Sequence, residues 1–231
     1  MADKAEYWKS LLVSVERVLL AVPMSMLVCV LAAFPLSRLD REFPARKVYI
    51  WIFVIPMLIG GGLIPSYMVV RETKLINSIW ALVVPNCVNV FNVILLMNFF
   101  RSLPKELEEA AYVDGATNWK VLWKIILPIS KPVLATVTLF VIVNHWNAWF
   151  DGLIYLNNPD QYPLQTYLQT QVVSANLMAL ESLRDIRQIG MISDRTGKAA
   201  QIFLAAVPVL MIYPFLQKYF TSGIVMGSVK G

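Results

Sequence analysis

Charge is what this sequence has little of. Only 15% of its 231 residues are Asp, Glu, Lys or Arg, where an ordinary soluble domain carries about a quarter. Histidine occurs once, at His145, which excludes a histidine-rich metal centre. The two cysteines, Cys29 and Cys87, lie inside apolar runs, so they read as small packing residues and not as a disulfide framework. No G-x-x-x-x-G-K-[ST] stretch occurs, so the chain lacks the glycine-rich loop that cradles nucleotide phosphates. No nucleophile–base pairing or metal-ligand cluster is visible, and nothing points to an enzyme or to nucleic-acid binding.

Apolar residues take the place of the missing charge. They make up 58% of the chain, and the mean hydropathy is +0.60. Five runs contain no Asp, Glu, Lys or Arg: Val18–Leu36, Val48–Val70, Leu75–Phe100, Pro132–Phe150 and Ala199–Gln217. Each is long enough to cross a hydrocarbon core of about 30 Å as a helix. One such run fits a buried core helix, but five do not. The sequence predicts an all-α transmembrane protein of about five spanning helices, built as one domain over residues 1–231. The first run lies too far into the chain for a signal peptide and lacks an A-x-A-like cleavage site.

The basic residues set the orientation. Arg38, Arg41, Arg46 and Lys47 sit between the first two runs, and Arg101, Lys105, Lys120, Lys124 and Lys131 between the third and fourth. By the positive-inside rule both connections are cytoplasmic, and the short turn holding Arg71 and Lys74 is external. The N-terminus then lies outside and the C-terminus inside. The connection of about residues 151–198 is external and includes the polar YPLQTYLQTQ and an amphipathic stretch near Leu177–Ile189. An external, uncleaved N-terminus suggests a further span ahead of Met1.

One segment, ELEEAAYVDGATNWKVLWKIILP (Glu106–Pro128), breaks the greasy pattern. Pro104 suits a first helical turn. Leu107, Ala110 and Ala111 recur at helical spacing, with Glu106, Glu108 and Glu109 as polar flanks. Gly115 supplies a positive φ to stop that helix. Thr117 or Asn118 is placed to cap a second helix with Trp119, Leu122, Trp123 and Ile126 on one apolar face, ended by Pro128. Two such helices, too polar to span, belong at the cytoplasmic interface, where the small alanines let another protein approach.

Read as Glu109-Ala110-Ala111, three residues, Gly115, nine residues, then Ile125, Ile126, Leu127 and Pro128, the segment resembles the EAA loop of binding-protein-dependent ABC importer permeases. That family has a MetI-like fold, usually with six spans. AAFPLSR (Ala32–Arg38), GGGLIPSYMVV (Gly60–Val70), NHWNAWFDGLIYL (Asn144–Leu156) and YPFLQKYF (Tyr213–Phe220) resemble its carbohydrate branch, closest to permeases for oligosaccharides and polysaccharide fragments such as aldouronates. GSVKG (Gly227–Gly231) resembles the branch's C-terminus and implies a chain complete at that end. The resemblance implies that about residues 101–131 form the coupling loop, seated on a cytoplasmic P-loop ATPase. Glu109 would face a basic residue there, Gly115 would make the turn, and Ala110, Ala111, Ile125, Leu127 and Pro128 would complete the motif. Two ATPase subunits, an extracellular substrate-binding lipoprotein, a second permease as heterodimer partner, membrane lipid and a place in the bacterial cell membrane are implied too. This chain would bind no cofactor; its partners use the ATP.

Several polar residues are candidates for a substrate path. Asn86, Asn89 and Asn92 recur every third residue after Pro85, which on one helix makes a slanted stripe facing protein or water. Asn144, Asn147 and Asp151 follow i, i+3, i+7 near Trp146 and Trp149. Such groups suit a sugar, combining amide or carboxylate hydrogen bonds with aromatic faces. Intramembrane asparagines also glue helices together, and tryptophans also anchor at the interface. His145 reads as a hydrogen-bonded structural residue. The Gly60–Gly62 triplet, between Pro56 and Pro65, is a hinge or a close helix contact. A secondary transporter needs intramembrane ion ligands and often repeats; the five runs contain no acidic residue and no repeat is visible. A non-transporting scaffold is the remaining class.

Overall fold

The computed structural model describes residues 4–171 and Phe203, Ala206, Val207, Leu210 and Met211. Among these every regular element is helical. The first helix, α1, covers Lys4–Ser37 without interruption despite Pro23 and Pro35. At 1.5 Å per residue it is about 50 Å long, well over a bilayer's apolar thickness. Its buried positions Ser10, Ser14, Arg17, Ala21, Ser25, Cys29, Ala33 and Leu36 fall three or four apart on one face, with Val30 buried beside Cys29. Most are small, so backbones approach closely where van der Waals packing must replace a hydrophobic driving force. Trp8, Leu12, Leu19 and Leu27 stand exposed on the rest of the surface.

Each of the next two apolar regions is broken. α2 (Arg46–Leu58) and α3 (Leu63–Glu72) meet at 117° across the glycine triplet. Gly62 has φ +81° and ψ 175°, and a Cβ at any of the three glycines would meet nothing within 4 Å. Among the described residues the triplet therefore makes a sharp bend and no close helix contact. α4 (Trp80–Asn86) and α5 (Val90–Ser102) are bent by 46°. The break follows Pro85, which has no N–H to donate to the helical ladder. α6 (Glu106–Val113) leads through Gly115 to α7 (Asn118–Ile129), which meets α8 (Lys131–Asn147) at 82°. A short α9 (Phe150–Tyr155) and a helical stretch at 164–171, α10, complete the described part.

One helix is long and apolar enough to cross alone, and up to four crossings exist if each bent pair counts as one. The run Ala199–Gln217 lies outside the described residues except at five helical positions, and so does the stretch near Leu177–Ile189.

α1 packs against α5 and α8. Cys29, Ala33 and Leu36 of α1, Val93, Leu96 and Phe100 of α5, Ala111, Leu122 and Ile126 of the charged segment, and Val133 and Val137 of α8 share one core. A second cluster joins Val70, Leu82 and Tyr155, and a third joins Trp146, Leu164, Tyr167 and Leu168. These contacts sort the connections into two ends. Asn77, at φ 62°, donates its N–H to the Tyr155 carbonyl at 2.8 Å and accepts from the Asn157 N–H at 3.1 Å. Lys9 pairs with Asp160 at 3.4 Å, which brings the start of α1 to that same end. At the opposite end Arg38 pairs with Glu108. Arg46 and Lys47 there hydrogen-bond Asp40 and hold its carboxyl below the usual carboxylate range.

Candidate functional site: a polar cleft and a charged helical pair

At the junction of α8 and α9 lies an open cleft of about 520 Å³, lined by Asn86, Asn144, Asn147, Trp149, Phe150 and Asp151. The α8 helix stops at Asn147 because Ala148 is extended, and α9 restarts at Phe150. That interruption turns the amides of the last α8 turn and the first carboxylate of α9 to the same space. Asn86 arrives from the other side of the Pro85 break, and its Nδ2 donates to Asp151 Oδ2 at 3.5 Å. Trp149 and Phe150 meet edge to face, with centroids 5.5 Å apart.

Five expected path residues therefore come together: Asn86, Asn144, Asn147, Trp149 and Asp151. Three do not. Asn89 is extended and caps α5, its Oδ1 accepting from the Asn92 N–H at 3.3 Å, and Asn92 is buried. The asparagine stripe does not form because it presupposes one straight helix from Asn86 to Asn92, and the helix is broken between Asn86 and Val90. Trp146 packs in the cluster with Leu164 and Tyr167, away from the cleft.

The residue that organises the cleft escaped the sequence reading. Arg17 is 1% exposed and reaches across from α1. It forms an ion pair with Asp151, donating from Nη1 to Oδ1 at 3.2 Å and from Nη2 to Oδ2. It also donates to the Ala148 carbonyl at 3.3 Å, the Leu82 carbonyl at 3.4 Å and His145 Nδ1 at 3.4 Å. One guanidinium thus ties α1, α4, α8 and α9 together. His145, as expected, is a buried hydrogen-bonded residue. The signal was available: an arginine beside an uncharged helical run needs an acceptor inside the protein, and Asp151 is the carboxylate at the edge of another such run.

At the other end α6 and α7 form the charged helical pair. Asp114 follows α6 and Gly115 has φ +74°, the left-handed conformation that its missing Cβ permits. Thr117 caps α7, its Oγ1 accepting from the Lys120 N–H at 3.4 Å. The Tyr112 hydroxyl bridges the turn by donating to Asn118 Oδ1 at 2.7 Å, and burial raises its phenol pKa. Pro104 lies two residues ahead of α6 and not in its first turn. Nor does Pro128 end α7. Residues Leu122–Ile126 widen into a π turn just before it, which accommodates the missing N–H, and the helix continues to Ile129.

The faces of this pair also differ from expectation. Ala111, Val121, Leu122 and Ile126 are buried, Ile125 and Leu127 half-buried, and Ala110 and Pro128 exposed. Trp119 and Trp123 stand outward at 61% and 52% exposure, as do Leu107 and Val113. The adjacent glutamates part company. Glu108 turns inward to Arg38, while Glu109 is exposed and makes no ion pair among the described residues. A cavity of about 250 Å³ beside them is lined by Arg38, Arg101, Lys105, Glu108, Glu109 and Tyr112, among others.

The family described as binding-protein-dependent transport system inner membrane component matches residues 7–226. The polygalacturonan/rhamnogalacturonan transport system permease protein YtcP of Bacillus subtilis (strain 168) is 40% identical over 228 residues, 97% of this chain and 77% of that protein. Protein LplC of the same organism is 41% identical over 199 residues, 86% of this chain and 66% of that protein. A crystal structure of a bacterial ABC transporter involved in the import of the acidic polysaccharide alginate holds a chain with TM-score 0.82 and 32% identity, covering 95% of this chain and 76% of its own. This chain therefore belongs to the binding-protein-dependent transport system inner membrane component family: it is a membrane-integral, non-enzymatic permease subunit of an ABC importer that works with ATPase and binding-protein partners.

Proposed function

We propose that this permease carries a carbohydrate, an oligosaccharide or polysaccharide fragment, released into it by an external binding protein. It forms half of the membrane channel with a second, related permease, within one domain that includes the coupling loop at about 101–131. The cleft of Asn86, Asn144, Asn147, Trp149 and Asp151 is the entrance, and the end bearing Tyr155 and Asp160 faces outward. The observation that carries the reading is the convergence of three amides, a carboxylate and two aromatic rings on one open cleft. Amides and carboxylates satisfy sugar hydroxyls, and aromatic faces cover the apolar side of a sugar ring. The relatives named for polygalacturonan and alginate transport support the substrate class.

The helical pair is the ATPase docking element. Leu107, Val113, Trp119 and Trp123 project outward, and Glu109 is exposed without an ion pair among the described residues. An apolar patch with one free carboxylate fits a partner that offers a greasy groove and a cation. Closure of the ATPases around ATP then shifts the permease, provided the docking element binds the two ATPase states with different affinity.

Affinity purification from native membranes in mild detergent tests both claims at once. Wild type should bring down a P-loop ATPase and a second permease, and Glu109→Arg should lose the ATPase by about ten-fold while keeping the permease, the loss expected when one partner of an interfacial charge pair is reversed. An abundant, folded wild-type sample without ATPase would overturn the docking assignment.

A further inference from the structure

The structure assigns to the Arg38–Glu108 ion pair a positioning role that the docking element alone does not supply: it is the grip by which α6 moves α1, and through α1 the cleft. The inference rests on the docking reading above and goes beyond it by naming the path.

Glu108 is the one glutamate of α6 that turns inward. Its carboxylate meets Arg38 Nη1 seventy residues away, and the two side chains are 17% and 14% exposed. Arg38 follows the last residue of α1 and is held from its other side, with its guanidinium 4.3 Å from the Phe34 ring centroid. A cavity of about 250 Å³ borders both residues, and one of about 580 Å³ borders Arg38. Packing around it is therefore thin, so the ion pair carries a large share of the contact between α6 and the end of α1. Ala111 is the only buried residue of α6.

The far side of α1 is gripped in the same way. Arg17 holds Asp151 of the cleft and the Ala148 and Leu82 carbonyls that border it. Between Arg17 and Arg38 the helix is unbroken and spans about 30 Å. The α2–α3, α4–α5 and α7–α8 regions each contain a bend of 46° or more, which absorbs displacement. The continuous helix α8 also runs from the charged pair to the cleft, but among the described residues α1 alone carries an arginine clamp at each end.

A reporter cysteine at Phe150, which lines the cleft, reads the motion without needing the sugar. The assembled transporter, purified in nanodiscs with its ATPases and second permease, is exposed to a soluble maleimide with and without ATP plus vanadate. Glu42→Gln is present throughout, because Glu42 offers Arg38 a second carboxylate at 3.9 Å. In the parent, nucleotide should change the labelling rate. In Arg38→Gln and in Glu108→Gln the ATPase should remain bound while that change shrinks about ten-fold, within the range typical of coupling between sites. The exchange of Arg38→Glu with Glu108→Arg should restore it.

Single variants that keep the full nucleotide response would overturn the inference. So would a folded charge exchange that fails to respond. Loss of ATPase from the single variants would make Glu108 a docking residue instead, again against the inference. A parent that binds no ATPase defeats the docking reading, and this inference falls with it. If the single variants do not fold, the exchange decides the matter, since it keeps the pair.

Discussion

A guanidinium with almost no exposure inside a membrane protein must place its N–H donors on protein acceptors, because lipid offers none. Arg17 does so with a carboxylate, two carbonyls and an imidazole nitrogen. The arrangement makes Asp151 the charge partner of a buried cation as well as a wall of the cleft. Asp151→Asn removes the charge and leaves Arg17 uncompensated, which should cost about 3 kcal/mol. Thermal unfolding of the purified permease in detergent checks this, and a melting temperature equal to the parent's would mean that the pair is not structural. Replacing both partners, Arg17→Met with Asp151→Leu, should recover much of the loss, since it removes the stranded charge.

At the scale of the helices, the glycine triplet decides how the second apolar region folds. Gly62 sits at φ +81° and ψ 175°, a region open essentially to glycine alone, whereas Gly60 has no such constraint. Gly62→Ala should therefore destabilise by about 1–3 kcal/mol, and Gly60→Ala should be near neutral; melting curves of the two variants side by side separate them. Such breakpoints were legible in the sequence because they depend on local chemistry: Gly115 at its turn, Thr117 at its cap and the Gly60–Gly62 bend all stand where residue type places them. What was not legible depended on which way a helix faces. Trp119 and Trp123 share the helical spacing of a buried stripe but point out. Periodicity finds an apolar face, yet beside a membrane an apolar face can meet lipid or a partner as readily as its own core. The asparagine stripe failed for a related reason. Spacing of three implies one side only along an intact helix, and the chain is not helical between Asn86 and Val90. Arg17 was missed because its partner lies 134 residues away, beyond any local pattern.

For the whole molecule, the contacts group the connections into two ends. Asn77, Tyr155, Lys9 and Asp160 gather at one, and Arg38, Arg46 and Glu108 at the other. The second end also carries Arg41, Lys47, Arg101, Lys105, Lys120 and Lys124, so the positive-inside rule and the fold agree on which connections belong together. A single cysteine placed at Arg41 should be protected from an impermeant maleimide in intact cells and exposed after permeabilisation, while one at Asn158 should label at once. Equal labelling of both in intact cells would contradict the two-ended arrangement.

Cys29 and Cys87, described above only as packing residues, are both buried, and no other cysteine occurs anywhere in the chain. The protein thus comes with its thiols already put away. A water-borne reagent should find an introduced cysteine against a nearly silent background, so this permease is suited to position-by-position chemical mapping without first stripping it of native sulfur.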